Sequence, residues 1–130
     1  MYARATGREV LRALDHWRHR AWAFVYLNPN YLDESLREFD RCVKDGPMVG
    51  VKLWVAQKAS GRALDPIIER AAAMQAVIFQ HTWWKTGGNL GGESTPLDVV
   101  ELAKRHPDLS IVLDHIGFPR RRDDEYFSSW

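Results

Sequence analysis

Short apolar runs alternate with longer amphipathic segments along this chain. Four runs of mostly aliphatic and aromatic residues occupy positions 21–27, 49–55, 77–81 and 110–115, and Asn, Pro, Gly or His stands at or just after the ends of the first, third and fourth. Continuous apolar runs of this length are typical of strands that are buried on both faces of a sheet. The pattern therefore predicts four strands.

The two earliest amphipathic segments show helical spacing. Apolar residues recur at intervals of three and four within residues 10–17 and again within residues 32–43. This periodicity predicts one helix in the first twenty residues and a second helix after the first strand. Gly46 and Pro47 are expected to end the second helix, because neither residue continues one.

Two further helices are predicted from their first residues. Asp65 followed by Pro66, and Thr95 followed by Pro96, are pairs in which an N-cap residue precedes proline at the first helical position. Asp98 lies three residues after Thr95, where its carboxylate can complete a capping box. We expect these helices to run to about residues 74 and 105.

Strands that are each separated by one helix predict a parallel α/β sheet with right-handed crossovers. An open doubly wound sheet and a closed barrel both satisfy this pattern. The chain has 130 residues, whereas a complete (β/α)8 TIM barrel has roughly 250. The barrel alternative therefore predicts a partial (β/α)8 TIM barrel of about four parallel strands, in a single domain over residues 1–130.

The open-sheet alternative would suit a nucleotide-binding domain. No G-x-G-x-x-G fingerprint follows any predicted strand, which disfavours this alternative. Four glycines within residues 87–92 lie in a long loop after the third strand, and we interpret them as a source of flexibility.

Composition narrows the classes of partner. A formal net charge of +1 gives no reason to expect nucleic acid. No apolar stretch is long enough to span a bilayer, so no membrane association is expected. Cys42 is the only cysteine, which excludes an internal disulfide and favours a cytoplasmic location.

Polar residues stand at the carboxyl ends of the predicted strands. Asn28, Lys52, His81 and His115 each fall at or near such an end. Functional groups of parallel α/β proteins collect at this edge, so we expect these side chains to share one volume. Neutral imidazoles bind zinc, and a second imidazole can accept a proton from water that the metal activates. The alternative is two buried histidines with hydrogen-bond partners.

The neighbours of the two histidines carry further expectations. Trp83, Trp84 and Lys85 follow His81 and could form an apolar wall and a cationic handle for a substrate carboxylate, unless one tryptophan only packs over the rim. Asp114 directly precedes His115 within a predicted strand. Its side chain is therefore expected on the opposite side of that strand.

Several segments together resemble the amidohydrolase-related metal-dependent hydrolases. The resemblance covers about residues 21–117 and leaves 118–130 as a divergent tail. The segments that carry it are Gly50-Val51-Lys52-Leu53, Leu64-Asp65-Pro66-Ile67, Gln80-His81, Ser94-Thr95-Pro96, Arg105-His106-Pro107-Asp108 and Asp114-His115-Ile116-Gly117.

The resemblance implies a (β/α)8 barrel, of which this chain holds about strands three to six, and one divalent metal such as zinc. It makes His81 a metal ligand and His115 either a ligand or the residue that activates water. Some members bridge two metals with a carboxylated lysine at the position of Lys52, but an ion pair is the better interpretation here. The family's His-x-His pair and its strand-eight aspartate have no counterpart, and His16 and His19, spaced His-x-x-His on a predicted helix, do not replace them.

The expected function is that of a metal-dependent hydrolase acting on a small organic acid, ester or lactone. The aminocarboxymuconate semialdehyde decarboxylases resemble the chain most, so decarboxylation is included. We expect a truncated piece with an incomplete metal site. The alternative is a non-catalytic half-barrel that binds a partner or forms a homo-oligomer through exposed sheet edges.

Overall fold

A computed structural model describes residues 2–85 and 87–115. The described helices are α1 (Tyr2–Trp17), α2 (Leu32–Phe39), α3 (Asp65–Ala73) and α4 (Pro96–Arg105). The described strands are β1 (Phe24–Tyr26), β2 (Gly50–Leu53), β3 (Val77–His81) and β4 (Ile111–Asp114). The α/β alternation predicted from the sequence is confirmed. The predicted tail over residues 118–130 lies outside the described residues.

The four strands form one parallel sheet in the order β1-β2-β3-β4. Each strand lies next to its neighbour in sequence, as in a section of a (β/α)8 barrel. In the register of this sheet, Lys52 pairs with Phe79, and His81 pairs with Asp114. None of the described helices has the length and apolar character needed to cross a membrane.

One face of the sheet, called here the helix face, packs against the helices. Its residues are Val25, Val51, Leu53, Ile78, Gln80, Ile111 and Leu113. Val51, Leu53 and Ile78 are almost fully buried and belong to one hydrophobic core with residues of α3 and α4. This face therefore holds the fold together.

The opposite face, called here the site face, is less covered. Its residues are Phe24, Tyr26, Gly50, Lys52, Val77, Phe79, His81, Val112 and Asp114. Val112 is 42% exposed, and the rings of Phe24 and Phe79 pack on each other with centroids 5.2 Å apart. In a barrel, this face is the interior.

Helix α4 begins as its sequence predicts. The Thr95 hydroxyl accepts a hydrogen bond from the Asp98 amide, and the Asp98 carboxylate accepts one from the Thr95 amide. This reciprocal pair is the predicted capping box.

Helix α3 begins differently. A 3-10 turn at Arg62–Leu64 leads into it, Leu64 occupies the cap position, and Asp65 is the first helical residue rather than the cap. The prediction that Asp65 caps this helix is therefore wrong. The Asp65 carboxylate instead pairs with Arg62 at 3.2 Å and with Arg105 at 3.5 Å. Two cations thus compete with the helix amides for its oxygens.

Helix α2 extends into a wider turn. Residues Asp40–Lys44 continue it as a π-helix, so helical structure covers the whole segment predicted from periodicity. Cys42 lies in this turn and is fully buried, and burial raises the pKa of its thiol. The cysteine therefore contributes to the core.

Candidate metal centre

The ends of β3 and β4 bring two possible metal ligands side by side. His81 and Asp114 are register partners on adjacent parallel strands, so their side chains leave the sheet on the same face. The distance between His81 Nδ1 and Asp114 Oδ2 is 3.9 Å. The expectation that Asp114 points away from the site is therefore wrong.

His115 joins this pair through an unusual backbone conformation. The strand ends at Asp114, and His115 has a φ of 61°, in the left-handed region. The alternation of side chains along the strand stops at this residue, and His115 Nε2 lies 3.3 Å from Asp114 Oδ2. The rings of His81 and His115 have centroids 5.1 Å apart. Asp114 and His115 thus reach one site although they are consecutive.

These three residues form a group that could hold a metal ion. One nitrogen of His81, one of His115 and one carboxylate oxygen of Asp114 all lie within 4.8 Å of one another. Burial is the main cause that lowers the pKa of His81, and the nearby His115 and Lys52 lower it further, against a contact with Glu93 that raises it. His81 is therefore neutral at neutral pH, which is the state that binds metals.

Lys52 supports the carboxylate of this group. Its ammonium donates a hydrogen bond to Asp114 Oδ2 and lies 4.4 Å from the centroid of the Phe79 ring. Partial burial raises the pKa of Asp114, but the hydrogen bond and the charge of Lys52 outweigh it, so the pKa lies below its ordinary value. Asp114 is thus kept ionised. The sequence-based interpretation of Lys52 as one half of an ion pair agrees with this contact.

Glu93 is a buried charge that sequence reasoning missed. Its side chain is 3% exposed, and its oxygens contact Lys85 Nζ at 2.9 Å, the Leu90 amide at 3.1 Å and His81 Nε2 at 3.5 Å. Burial raises the pKa of Glu93, but the hydrogen bonds from Lys85 and Leu90 outweigh it and leave the pKa below its ordinary value. A carboxylate next to glycines in a loop is ordinarily a solvated residue, so the sequence carried no signal for this contact.

Two tryptophans line the group. Trp83 stacks on His81 with ring centroids 6.0 Å apart, and it forms a T-shaped contact with His115 with centroids 5.0 Å apart. Trp54 meets His81 edge to face at 6.2 Å and is half exposed. Trp84 is 40% exposed. Of the predicted tryptophan wall, Trp83 lies directly against both histidines.

The other predicted site residues make local contacts. The ammonium of Lys85 pairs with Glu93, so its charge is already compensated. The side-chain oxygen of Asn28 accepts a hydrogen bond from the Asn30 amide at 3.0 Å and caps a 3-10 turn at Pro29–Tyr31.

The loop after β3 is tied at its base and is not merely flexible. Thr82 and Ser94 form a bridge, and Asn89 bonds the amide of Lys85 and the carbonyl of Trp83. At two of the four glycine positions, the backbone geometry requires glycine. Gly88 has a φ of 88°, and a Cβ at Gly92 would collide with the backbone carbonyls of Val55 and Ala56. The interpretation of these two glycines as flexible spacers is therefore wrong.

The donor set suits a divalent metal. Two imidazoles and one carboxylate are the ligand types of hydrolytic zinc sites. Ligand atoms around a tetrahedral zinc lie about 3.4 Å apart, and the two distances from Asp114 Oδ2 to the histidine nitrogens, 3.3 and 3.9 Å, bracket that value. The residues present therefore fit a metal of this class.

Comparison with known proteins agrees with the chemistry of this site. The family model described as amidohydrolase matches residues 2–130. No curated protein and no solved structure shows significant similarity to the chain. The family match covers nearly the whole sequence, and the described fold is that of a partial barrel of this family. The chain belongs to the amidohydrolase family.

Proposed function

We propose that this chain carries the metal-binding rim of a hydrolase that acts on a small organic acid, ester or lactone. The observation that carries the proposal is the convergence of His81, Asp114 and His115 within 4.8 Å at the carboxyl edge of a parallel sheet. This edge is where catalytic groups of such folds lie. Zinc is the metal we propose, because imidazole and carboxylate ligands suit it.

His81 and Asp114 are the proposed holders of the metal. A divalent metal held by these residues would polarise a substrate carbonyl and would make water a better nucleophile at neutral pH. His81 is neutral and buried, and Lys52 keeps Asp114 ionised, so neither residue needs to lose a proton before it binds a cation. A cytoplasmic location belongs to the same proposal and is favoured by the single cysteine.

His115 is either a third metal ligand or the acceptor of a proton from water. The metal affinity of His115→Ala distinguishes these two roles. Its side chain is 45% exposed, and it is the most accessible of the three groups. As a third ligand, it would make His115→Ala lose metal affinity. As the acceptor of a proton from water, it would make His115→Ala keep its metal and lose turnover.

The walls of the site favour a substrate with an apolar or planar body. Trp83 and Trp54 flank His81 with their rings, and Trp54 is half exposed. Lys85 is compensated by Glu93, so the positive charge nearest Asp114 is that of Lys52. The proposal includes a second reaction, the decarboxylation of a small acid, as in the aminocarboxymuconate semialdehyde decarboxylase type.

Metal-dependent turnover tests the proposed function. The chain is stripped with a chelator and assayed against small esters, lactones and carboxylic acids, with release of carbon dioxide measured separately. We expect activity that zinc restores and that His81→Ala abolishes. His106→Ala is the control, because His106 lies at the end of α4. Activity that survives the chelator would contradict the proposal.

A second candidate function, self-association of a half-barrel, is supported by the open character of the site face. Phe24 and Phe79 pack together there, and Val112 is 42% exposed. Apolar interior positions of this kind are covered in a closed barrel. Sedimentation of the chain at micromolar concentration tests this candidate. A dimer that Val112→Lys dissociates is expected if the face is an interface, and a monodisperse monomer would contradict it.

A further inference from the structure

Glu93 contacts Nε2 of His81 at 3.5 Å, whereas Asp114 lies 3.9 Å from Nδ1, the other nitrogen of the same ring. We propose that Glu93 is a positioning residue for His81, which holds the ring as the tautomer protonated at Nε2 and so presents Nδ1 to the metal. This proposal deepens the proposed function. Its consequence for metal affinity rests on the proposed function. Its structural part concerns only the imidazole and the carboxylate.

The first step is the way in which described residues contact the two oxygens of Glu93. Oε2 accepts from Lys85 Nζ at 2.9 Å and from the Leu90 amide at 3.1 Å. Oε1 lies 3.5 Å from His81 Nε2, at the outer limit of a hydrogen bond. A buried carboxylate oxygen requires a donor, and the Nε2–H group of His81 is the donor that this contact supplies.

The second step is the choice between the two ring nitrogens. A carboxylate only accepts hydrogen bonds, so the proton must be on Nε2 for the contact with Glu93 to be attractive. Nδ1 then keeps its lone pair, and Nδ1 is the nitrogen that lies 3.9 Å from Asp114. A neutral histidine that donates one nitrogen to a carboxylate and ligates a metal with the other is a recurrent arrangement in metal sites.

The third step is that the surroundings oppose rotation of the ring. Trp83 stacks on the ring of His81 with an interplanar angle of 13°, and Trp54 meets it at 78°. Glu93 is itself held by Lys85, whose amide is bonded to the side chain of Asn89. The loop after β3 thus orients a metal ligand as well as lining the site.

The tautomer of His81 in the metal-free chain tests the structural part without any variant. Nitrogen-15 NMR of histidine-labelled protein at about pH 8, above the ordinary histidine pKa of about 6.5, distinguishes a protonated Nε2 from a protonated Nδ1. We expect His81 to be protonated at Nε2. A proton on Nδ1 would overturn the proposal whether or not the chain binds a metal.

Zinc affinity of variants tests the consequence. Removing an outer partner of a ligand costs about 10- to 100-fold in metal affinity, so we expect that loss in Glu93→Met and a smaller one in Glu93→Gln, which keeps an acceptor oxygen. Glu101→Gln is the control, since Glu101 lies on the exposed side of α4 and pairs with Lys104. Unchanged affinity in Glu93→Met would overturn the proposal.

The two proposals fail in different ways. Wild-type chain could bind zinc, lose that binding in His81→Ala, and yet have the His81 ring protonated at Nδ1. This result would support the metal site and contradict the role of Glu93. A ring protonated at Nε2 in a chain that binds no metal would support the contact between Glu93 and His81 and contradict the proposed function.

Discussion

The two faces of β3 show how one short strand serves both stability and chemistry. Ile78 and Gln80 point to the helix face and are fully buried, whereas Phe79 and His81 point to the site face beside Lys52. The helix face is covered by packed helices, while the site face is only partly covered. Because side chains alternate along a strand, neighbouring residues are subject to different constraints.

The comparison also concerns charge. Apart from Gln80, the strand residues of the helix face have aliphatic side chains. The site face carries Lys52, Asp114 and His81 close together, and the ammonium of Lys52 pairs with the carboxylate of Asp114. A partly buried carboxylate is tolerated there because a cation compensates it. Packing therefore dominates one face, and electrostatic balance dominates the other.

Truncation of the helix face should have the largest effect. Ile78→Ala removes a fully buried side chain and is expected to lower the free energy of unfolding by about 2–5 kcal/mol. Val112→Ala on the site face is the matched control and should cost well under half as much, because Val112 is 42% exposed. Urea denaturation measures both. Equal losses would break the distinction between the two faces.

Removal of the compensating cation on the site face should have an intermediate effect that depends on pH. Lys52→Met is expected to cost about 1–2 kcal/mol at neutral pH. The folded-state pKa of Asp114 is depressed, so this stabilisation is present above the unfolded pKa of about 3.9 and is lost as pH falls through the folded pKa. Urea unfolding of wild type and variant at several pH values measures the difference, and a difference that stays constant into acid would contradict this account.

The cap of the helix that follows the site loop should have the smallest effect. Thr95→Ala removes the hydroxyl that accepts from Asp98 and is expected to cost about 1 kcal/mol. Thr95→Ser keeps the oxygen and should remain close to wild type. Thermal unfolding compares the two variants, and equal melting temperatures would show that the capping box does not stabilise α4.

Local signals account for what the sequence predicted well. The bounds of β3 and α4 follow from an apolar run and from a capping box, and both involve residues close together in the chain. The same reasoning failed at Asp65, because its side chain is engaged by Arg105, forty residues away. A carboxylate that pairs with a cation is less available to accept hydrogen bonds from helix amides, and the sequence does not show which distant cation will pair with it.

The site was predicted only in part for a similar reason. His81 and His115 are found close together, but Asp114 lies on the same side as His115 and not on the opposite side that strand alternation predicts, because the alternation does not continue through His115. One residue in the left-handed conformation ends that alternation. Glu93 was missed because its burial depends on the folding of a loop over His81, which no periodicity records.

The central claim is that Asp114 and His81 act together as ligands of one metal. Zinc titration by calorimetry of wild type, His81→Ala and Asp114→Asn tests it directly, with Asp108→Asn in the turn after α4 as the control. We predict one zinc ion per wild-type chain, an affinity reduced by more than about 100-fold in both site variants, and no change in the control. Wild-type affinity in Asp114→Asn, or no zinc binding by wild type, would contradict the account.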